Sequence, residues 1–242
     1  MVTGGSGGIG AAICRALANA GFAVAVGYRT SRAVAETLAA ALPGARHVAV
    51  QASVTDSAAR KTMAGQLAER YGRCDVLVNC AGTTRFVPHE DLEALDDDLI
   101  DAILSTNVRG AFAALRALLP LLKTSTRTGG GVVVNISSIA GRTAMGSNVM
   151  YCASKAALDN MTQSLGRALA PRVRVLSISP GLVDTEFVKS LDSRWRDEQA
   201  ARTPLGRLAQ PDEVAAAVIA AVRDLSFTTG CVLPVDGGRP LS

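Results

Sequence analysis

Short β-branched apolar runs alternate along the chain with longer stretches in which apolar residues recur every three or four positions. The runs at 23–28 (AVAVGY), 46–51 (RHVAVQ), 75–79 (DVLVN), 132–136 (VVVNI), 173–178 (VRVLSI) and 231–235 (CVLPV) predict strands. Residues 1–3 predict a further one. The helical spacing covers 8–20, 31–41, 56–71, 96–123 (with a break near Asn107), 151–169 and 211–223. Several strands are continuously apolar, which suits burial on both faces of a parallel sheet. Alternation of strand and helix implies βαβ units with right-handed crossovers. Residues 180–206 break the alternation, and such a segment is expected to cover a substrate.

Composition narrows the class. Of 242 residues, 48% are hydrophobic, enough to fill a core and to exclude disorder. No run of about 18 apolar residues predicts a membrane span. The first residues, MVTGGSGGIG, lack the basic-then-apolar order of a signal peptide, so a soluble cytoplasmic protein is expected. The net charge of +4 comes from 25 basic and 21 acidic residues, scattered without a basic cluster, so no nucleic-acid partner is expected. Five cysteines without a CxxC pair and two isolated histidines, His47 and His89, argue against a disulfide framework, a metal site or a Ser-His-Asp hydrolase. No GxSxG elbow is present.

Candidate chemistry begins at Thr3–Gly10 (TGGSGGIG), ahead of a helical pattern. Glycines admit a close backbone approach to a pyrophosphate, and a helix N-terminus offers free N–H groups and a positive dipole end. Two registers fit: Gly5-x-Gly7-x-x-Gly10, and Gly4-x-x-x-Gly8-x-Gly10. Enzymes that bind NAD usually place a carboxylate after the second strand for the ribose 2′-hydroxyl. Here Arg29 and Arg32 follow it, and no acidic residue occurs between Gly10 and Glu36. A guanidinium suits a 2′-phosphate, so NADP(H) is expected over NAD(H).

Tyr151 and Lys155 lie four apart in a helical pattern and therefore share a face. Ser138 follows the 132–136 strand, and strand C-termini face the ligand crevice in such folds. Hydride addition to a ketone leaves an alkoxide that needs a proton. A phenol can supply it, a nearby ammonium favours the phenolate left behind, and a serine hydroxyl can stabilise the developing charge.

Together these residues resemble the short-chain dehydrogenase/reductase family over essentially the whole chain. The matching motifs are TGGSGGIG (3–10), NCAG (79–82) for the family's NNAG, Asn107 in TNVRG, NISSIAG (135–141), YCASK (151–155) and PGLVDT (180–185). PLGRLAQPDEVA (204–215) and VDGG (235–238) are similar to the branch containing bacterial 3-oxoacyl-acyl-carrier-protein reductases. The resemblance implies one α/β domain over 1–242, Rossmann-type and doubly wound, with a mostly parallel seven-stranded sheet. Residues 184–203 would be the substrate-covering segment, with Phe187 and Trp195 as substrate contacts or packing residues.

It also implies site residues. Asn107, Ser138, Tyr151 and Lys155 would be catalytic, with Asn107 holding a kinked helix and a proton-relay water. Gly4, Ser6, Gly8, Ile9, Gly10, Arg29, Arg32, Ser53, Val54, Asn79, Ala81, Gly82, Pro180, Gly181, Val183 and Thr185 would bind cofactor beside Tyr151 and Lys155. Departures stand out. Ser53 replaces an aspartate that meets the adenine, Gly7 replaces a basic residue, and Cys80 replaces an asparagine. Only Met1 and Val2 precede Thr3, so either the first strand is short or residues precede this record.

The expected function is NADPH-dependent reduction of the 3-oxo group of an acyl thioester, on acyl carrier protein or CoA, as in fatty acid biosynthesis. Reaction on another small ketone, sugar, polyketide or alcohol is the alternative, and a non-catalytic dinucleotide sensor is a remote one. Arg172 is a candidate docking residue for an acidic carrier or a plain surface arginine. The family resemblance implies a homotetramer.

Overall fold

The computed structural model describes residues 1–241, and its frame is a sheet in which every neighbouring pair of strands is parallel. The strands are β1 (Val2–Thr3), β2 (Ala25–Tyr28), β3 (Val48–Gln51), β4 (Val76–Asn79), β5 (Gly131–Ile136), β6 (Val173–Pro180) and β7 (Val232–Val235). Their order is β3-β2-β1-β4-β5-β6-β7. The chain winds outward from β1 to β3, then returns to the other side of β1 as β4. The crevice at that reversal, over the C-terminal strand ends, is where such sheets bind ligands.

Strand periodicity divides the core. Val76, Val78, Val132, Val134, Leu176 and Ile178 bury on one face, with Ile13 and Leu17 of α1 (Gly8–Asn19) and Val214 and Val218 of α10 (Pro211–Arg223). Their neighbours Leu77, Val133, Val173 and Val175 bury on the other, against Met63 and Leu67 of α3 (Ser57–Tyr71) and Leu115, Leu118 and Leu122 of α5 (Ala111–Leu122). Helices on both faces explain why these strands read as unbroken apolar runs. Between them in the chain lie α2 (Arg32–Ala41), α4 (Asp97–Leu104), α6 (Ala140–Thr143), α7 (Val149–Leu169), α8 (Glu186–Lys189) and α9 (Ser193–Ala201).

Helix ends carry their signals. Asp56 Oδ1 caps α3 by accepting from the N–H groups of Ala58 (2.8 Å) and Ala59 (3.2 Å), and Gly72 closes it at φ 69°. Pro211 opens α10 behind a reciprocal Gln210–Glu213 capping box. β1 is short, but Met1 extends its pairing: its N donates to the Val76 carbonyl (2.8 Å) and its carbonyl accepts from Val78 N–H (2.8 Å).

The break expected near Asn107 is a π-helical stretch, Ser105–Gly110, between α4 and α5. The wider turn swings Asn107 inward, a common use of such bulges at functional sites. Within the 180–206 segment α8 and α9 form, capped by Thr185 and Asp192.

Candidate active site

One cavity of about 1030 Å³ runs along the C-terminal ends of the central strands. At one end lies the glycine loop. Gly4 stands at φ +63°, and a Cβ there would lie 2.9 Å from Ala81 Cα; one on Gly10 would lie 2.2 Å from the Gly4 carbonyl oxygen. Only glycine permits this close layering. The first turn of α1 has no side-chain cap and no acidic residue, so its leading N–H groups remain open to an anion. Thr3 braces the loop: its hydroxyl accepts from Cys80 N–H (3.1 Å) and Ala81 N–H (3.2 Å). This end fits a dinucleotide pyrophosphate.

Arg29 lines the cavity past β2, together with Thr30 and Ser31. Arg32 does not. It sits in the first turn of α2 and pairs with Glu36 at 2.8 Å, outside the lining.

Tyr151, Lys155 and Ser138 line the same cavity. Lys155 is buried, its Nζ donates to the Ile136 carbonyl (2.8 Å) and stands 5.5 Å from the centre of the Tyr151 ring. The β5 extension separates the two serines. Ser137 is buried, with its hydroxyl turned toward the Lys155 carbonyl (3.4 Å). Ser138 Oγ accepts from Ala140 N–H (3.2 Å), which leaves its own O–H to donate elsewhere.

Two asparagines set these groups in place. Asn107 Oδ1 accepts from Thr83 N–H (2.8 Å), and its Nδ2 donates to Thr83 O and Ser154 Oγ (3.1 Å each). Asn148, the N-cap of α7, was missed by reading motifs alone. Its Oδ1 accepts from Tyr151 N–H (2.7 Å), and its Nδ2 donates to the Arg85 carbonyl (2.8 Å) and Thr84 Oγ1 (3.2 Å). Asparagine just ahead of a helical pattern was a legible capping signal.

Of the expected residues, Gly4, Ser6, Gly8, Ile9, Gly10, Arg29, Val54, Ala81, Gly82, Pro180, Gly181, Val183 and Thr185 line the cavity. Arg32, Ser53, Asn79 and Asn107 lie outside its lining. Asn79 is buried behind the wall, with its Nδ2 donating to Asn135 Oδ1 (2.9 Å). Cys80 packs partly buried against the core, and burial pushes its thiol up to about 11, so it serves as a small apolar residue in place of an amide. Arg172 is exposed and precedes β6, at the sheet end opposite the cavity.

No helix among the described residues is long and apolar enough to cross a membrane. A family model described as "Enoyl-(Acyl carrier protein) reductase" matches residues 4–239. The chain is 40% identical to a protein assigned as ketoacyl reductase 2 of the granaticin polyketide synthase from Streptomyces violaceoruber, covering 100% of this chain and 95% of that one. It is 37% identical to the D-threitol dehydrogenase of Mycolicibacterium smegmatis, covering 98% and 90%. A crystal structure assigned as a short-chain dehydrogenase/reductase from Burkholderia xenovorans superposes with a TM-score of 0.92 at 35% identity, covering 100% of this chain and 97% of that one.

Proposed function

The chain belongs to the short-chain dehydrogenase/reductase family of oxidoreductases, and we propose that it reduces a carbonyl to a secondary alcohol with NADPH, the 3-oxo group of an acyl thioester foremost. The observation that carries this reading is one cavity lined by Ser138, Tyr151 and Lys155 together with the glycine loop and Arg29.

When bound, the reduced dinucleotide supplies the hydride that adds to the carbonyl carbon. The chain's own residues do the rest. Ser138 donates its free O–H to the substrate oxygen, and Tyr151 gives that oxygen its phenolic proton as charge develops there. Lys155 holds positive charge beside the phenolate left behind and would bind the cofactor's ribose. The N–H groups opening α1 would hold the pyrophosphate, and Arg29 would hold a 2′-phosphate. Asn107 and Asn148 are positioning residues. They anchor the loop after β4 and the start of α7.

An acyl thioester is favoured by the charge of the walls. Among the described residues, Arg29, Lys155 and Arg202 line the cavity with Glu186. That balance suits phosphate groups on the cofactor and on a pantetheine arm, whether from CoA or from an acyl carrier protein. A second reading, oxidation of a small alcohol or sugar alcohol, rests on the similarity to the D-threitol dehydrogenase. A homotetramer belongs to the same proposal, with Phe112 on α5 exposed at 41%.

The test follows absorbance at the NADPH band with acetoacetyl thioesters, simple ketones and ketoses, and the reverse reaction with tetritols. Thioester-dependent consumption of NADPH is expected. Turnover of polyols alone would favour the second reading, and cofactor binding without any turnover would overturn both.

A further inference from the structure

We infer that the substrate carries an apolar ring or other planar unsaturated body beside its reacting carbonyl, seated on a clamp formed by Phe86, Phe187 and Trp195. This deepens the carbonyl-reducing reading and rests on it.

The three rings come from two stretches of chain, the connection after β4 and the 184–203 segment. Phe86 lies between β4 and α4, Phe187 on α8 and Trp195 on α9. Phe86 and Phe187 lie parallel within 7°, with ring centres 6.1 Å apart; Trp195 meets Phe86 edge-on at 5.8 Å and 81°. All three line the cavity. Both geometries are favourable for aromatic pairs, yet Phe86 remains 45% and Phe187 55% exposed. The rings therefore keep apolar area available to a further flat partner.

The clamp has a fixed jaw. Val87 N–H donates to the Ser147 carbonyl (2.8 Å) and Asn148 holds the Arg85 carbonyl, so the backbone is pinned on both sides of Phe86. Because Asn148 also caps the helix bearing Tyr151, the ring and the proton donor are held by one side chain. In the opposing jaw, α9 is tied to the stretch ahead of α8 by an Arg196–Asp184 ion pair at 3.0 Å. The neighbouring lining residues Ala144 and Met145 are apolar as well. A ring placed here would gain stacking contacts worth roughly two- to tenfold in affinity per aromatic pair.

Two thioesters with the same reacting unit separate the possibilities: benzoylacetyl- and acetoacetyl-N-acetylcysteamine, with erythrulose as the polar probe. The wild type is expected to prefer the benzoyl compound by about tenfold in kcat/KM, through KM. Phe86→Leu and Phe187→Leu should each erase most of that preference, while Phe86→Tyr, which keeps a ring, should retain it. Equal kcat/KM for the two thioesters, a preference for erythrulose, or a preference that survives both leucine variants overturns the inference while leaving carbonyl reduction standing. If no probe is reduced, the carbonyl-reducing reading itself fails and this inference falls with it.

Discussion

The side-chain oxygen of Asn148 accepts the backbone N–H of Tyr151 at 2.7 Å, so the residue that starts α7 also sets where the phenol stands. Its amide nitrogen is committed to the Arg85 carbonyl. Asn148→Ala removes a buried cap and leaves that carbonyl without its donor. The expected cost is about 2 kcal/mol, or roughly 4–8 °C in Tm for a chain of this size. Asn148→Asp keeps the cap oxygen and should hold more of the stability. Thermal unfolding of both variants checks this; an unchanged Tm in the alanine variant would remove the assigned role.

Tyr151→Phe keeps the ring and loses the proton. Turnover should fall by roughly 10²–10⁴-fold, the usual contribution of a positioned acid, while cofactor binding, followed by fluorescence titration, stays close to wild type. A variant retaining most of its turnover would exclude Tyr151 as the proton donor.

Arg29 and Arg32 make opposite predictions. Arg29 lines the cavity, whereas Arg32 is tied to Glu36 outside it. Arg29→Ala should raise the KM for NADPH by about tenfold or more with a much smaller effect on NADH, in line with loss of a charge-assisted phosphate contact. Arg32→Ala should leave the NADPH/NADH ratio nearly unchanged. Steady-state kinetics with both cofactors decide it, and equal effects of Arg29→Ala on the two would end the NADP(H) assignment.

Glu213 links stability to acid. The Arg207 guanidinium and the Gln210 N–H hold its carboxyl down at about 2, against an ordinary value of 4.5. A depressed folded-state value means the carboxylate stabilises the fold above the unfolded value, and this contribution is lost as pH falls from about 4.5 through about 2. Glu213→Gln should lower Tm at neutral pH modestly, because the pair is exposed. It should also flatten the Tm profile across that acidic interval. Scanning calorimetry from pH 2 to pH 7 measures it; parallel profiles for wild type and variant would count against the linkage.

Much of this site was legible before folding was considered. The glycine spacing from Gly4 to Gly10, the Tyr151–Lys155 interval and the strand-end Ser138 are local patterns. A helix face, a strand end and a helix N-terminus follow from backbone periodicity alone, so these residues could be found and given roles in order along the chain. The alternation of apolar runs likewise announced a parallel sheet covered on both faces, since only strands buried twice can be apolar at every position.

Contacts between distant segments were not legible. Nothing in the spacing of Arg29 and Arg32 says which faces the cavity; the answer came from the first turn of α2, which points Arg32 at Glu36 one turn on. Nor could periodicity foresee the π-helical turn at Asn107, the Thr3 hydroxyl under Cys80 and Ala81, or Phe86 meeting the rings of Phe187 and Trp195. Sequence by itself determined the seven strands, the main helices and their order, because hydrogen-bonded backbone repeats impose their period on the side chains. Tertiary structure alone decided which polar groups meet and which rings form a wall, because those choices depend on packing between residues that the chain holds far apart.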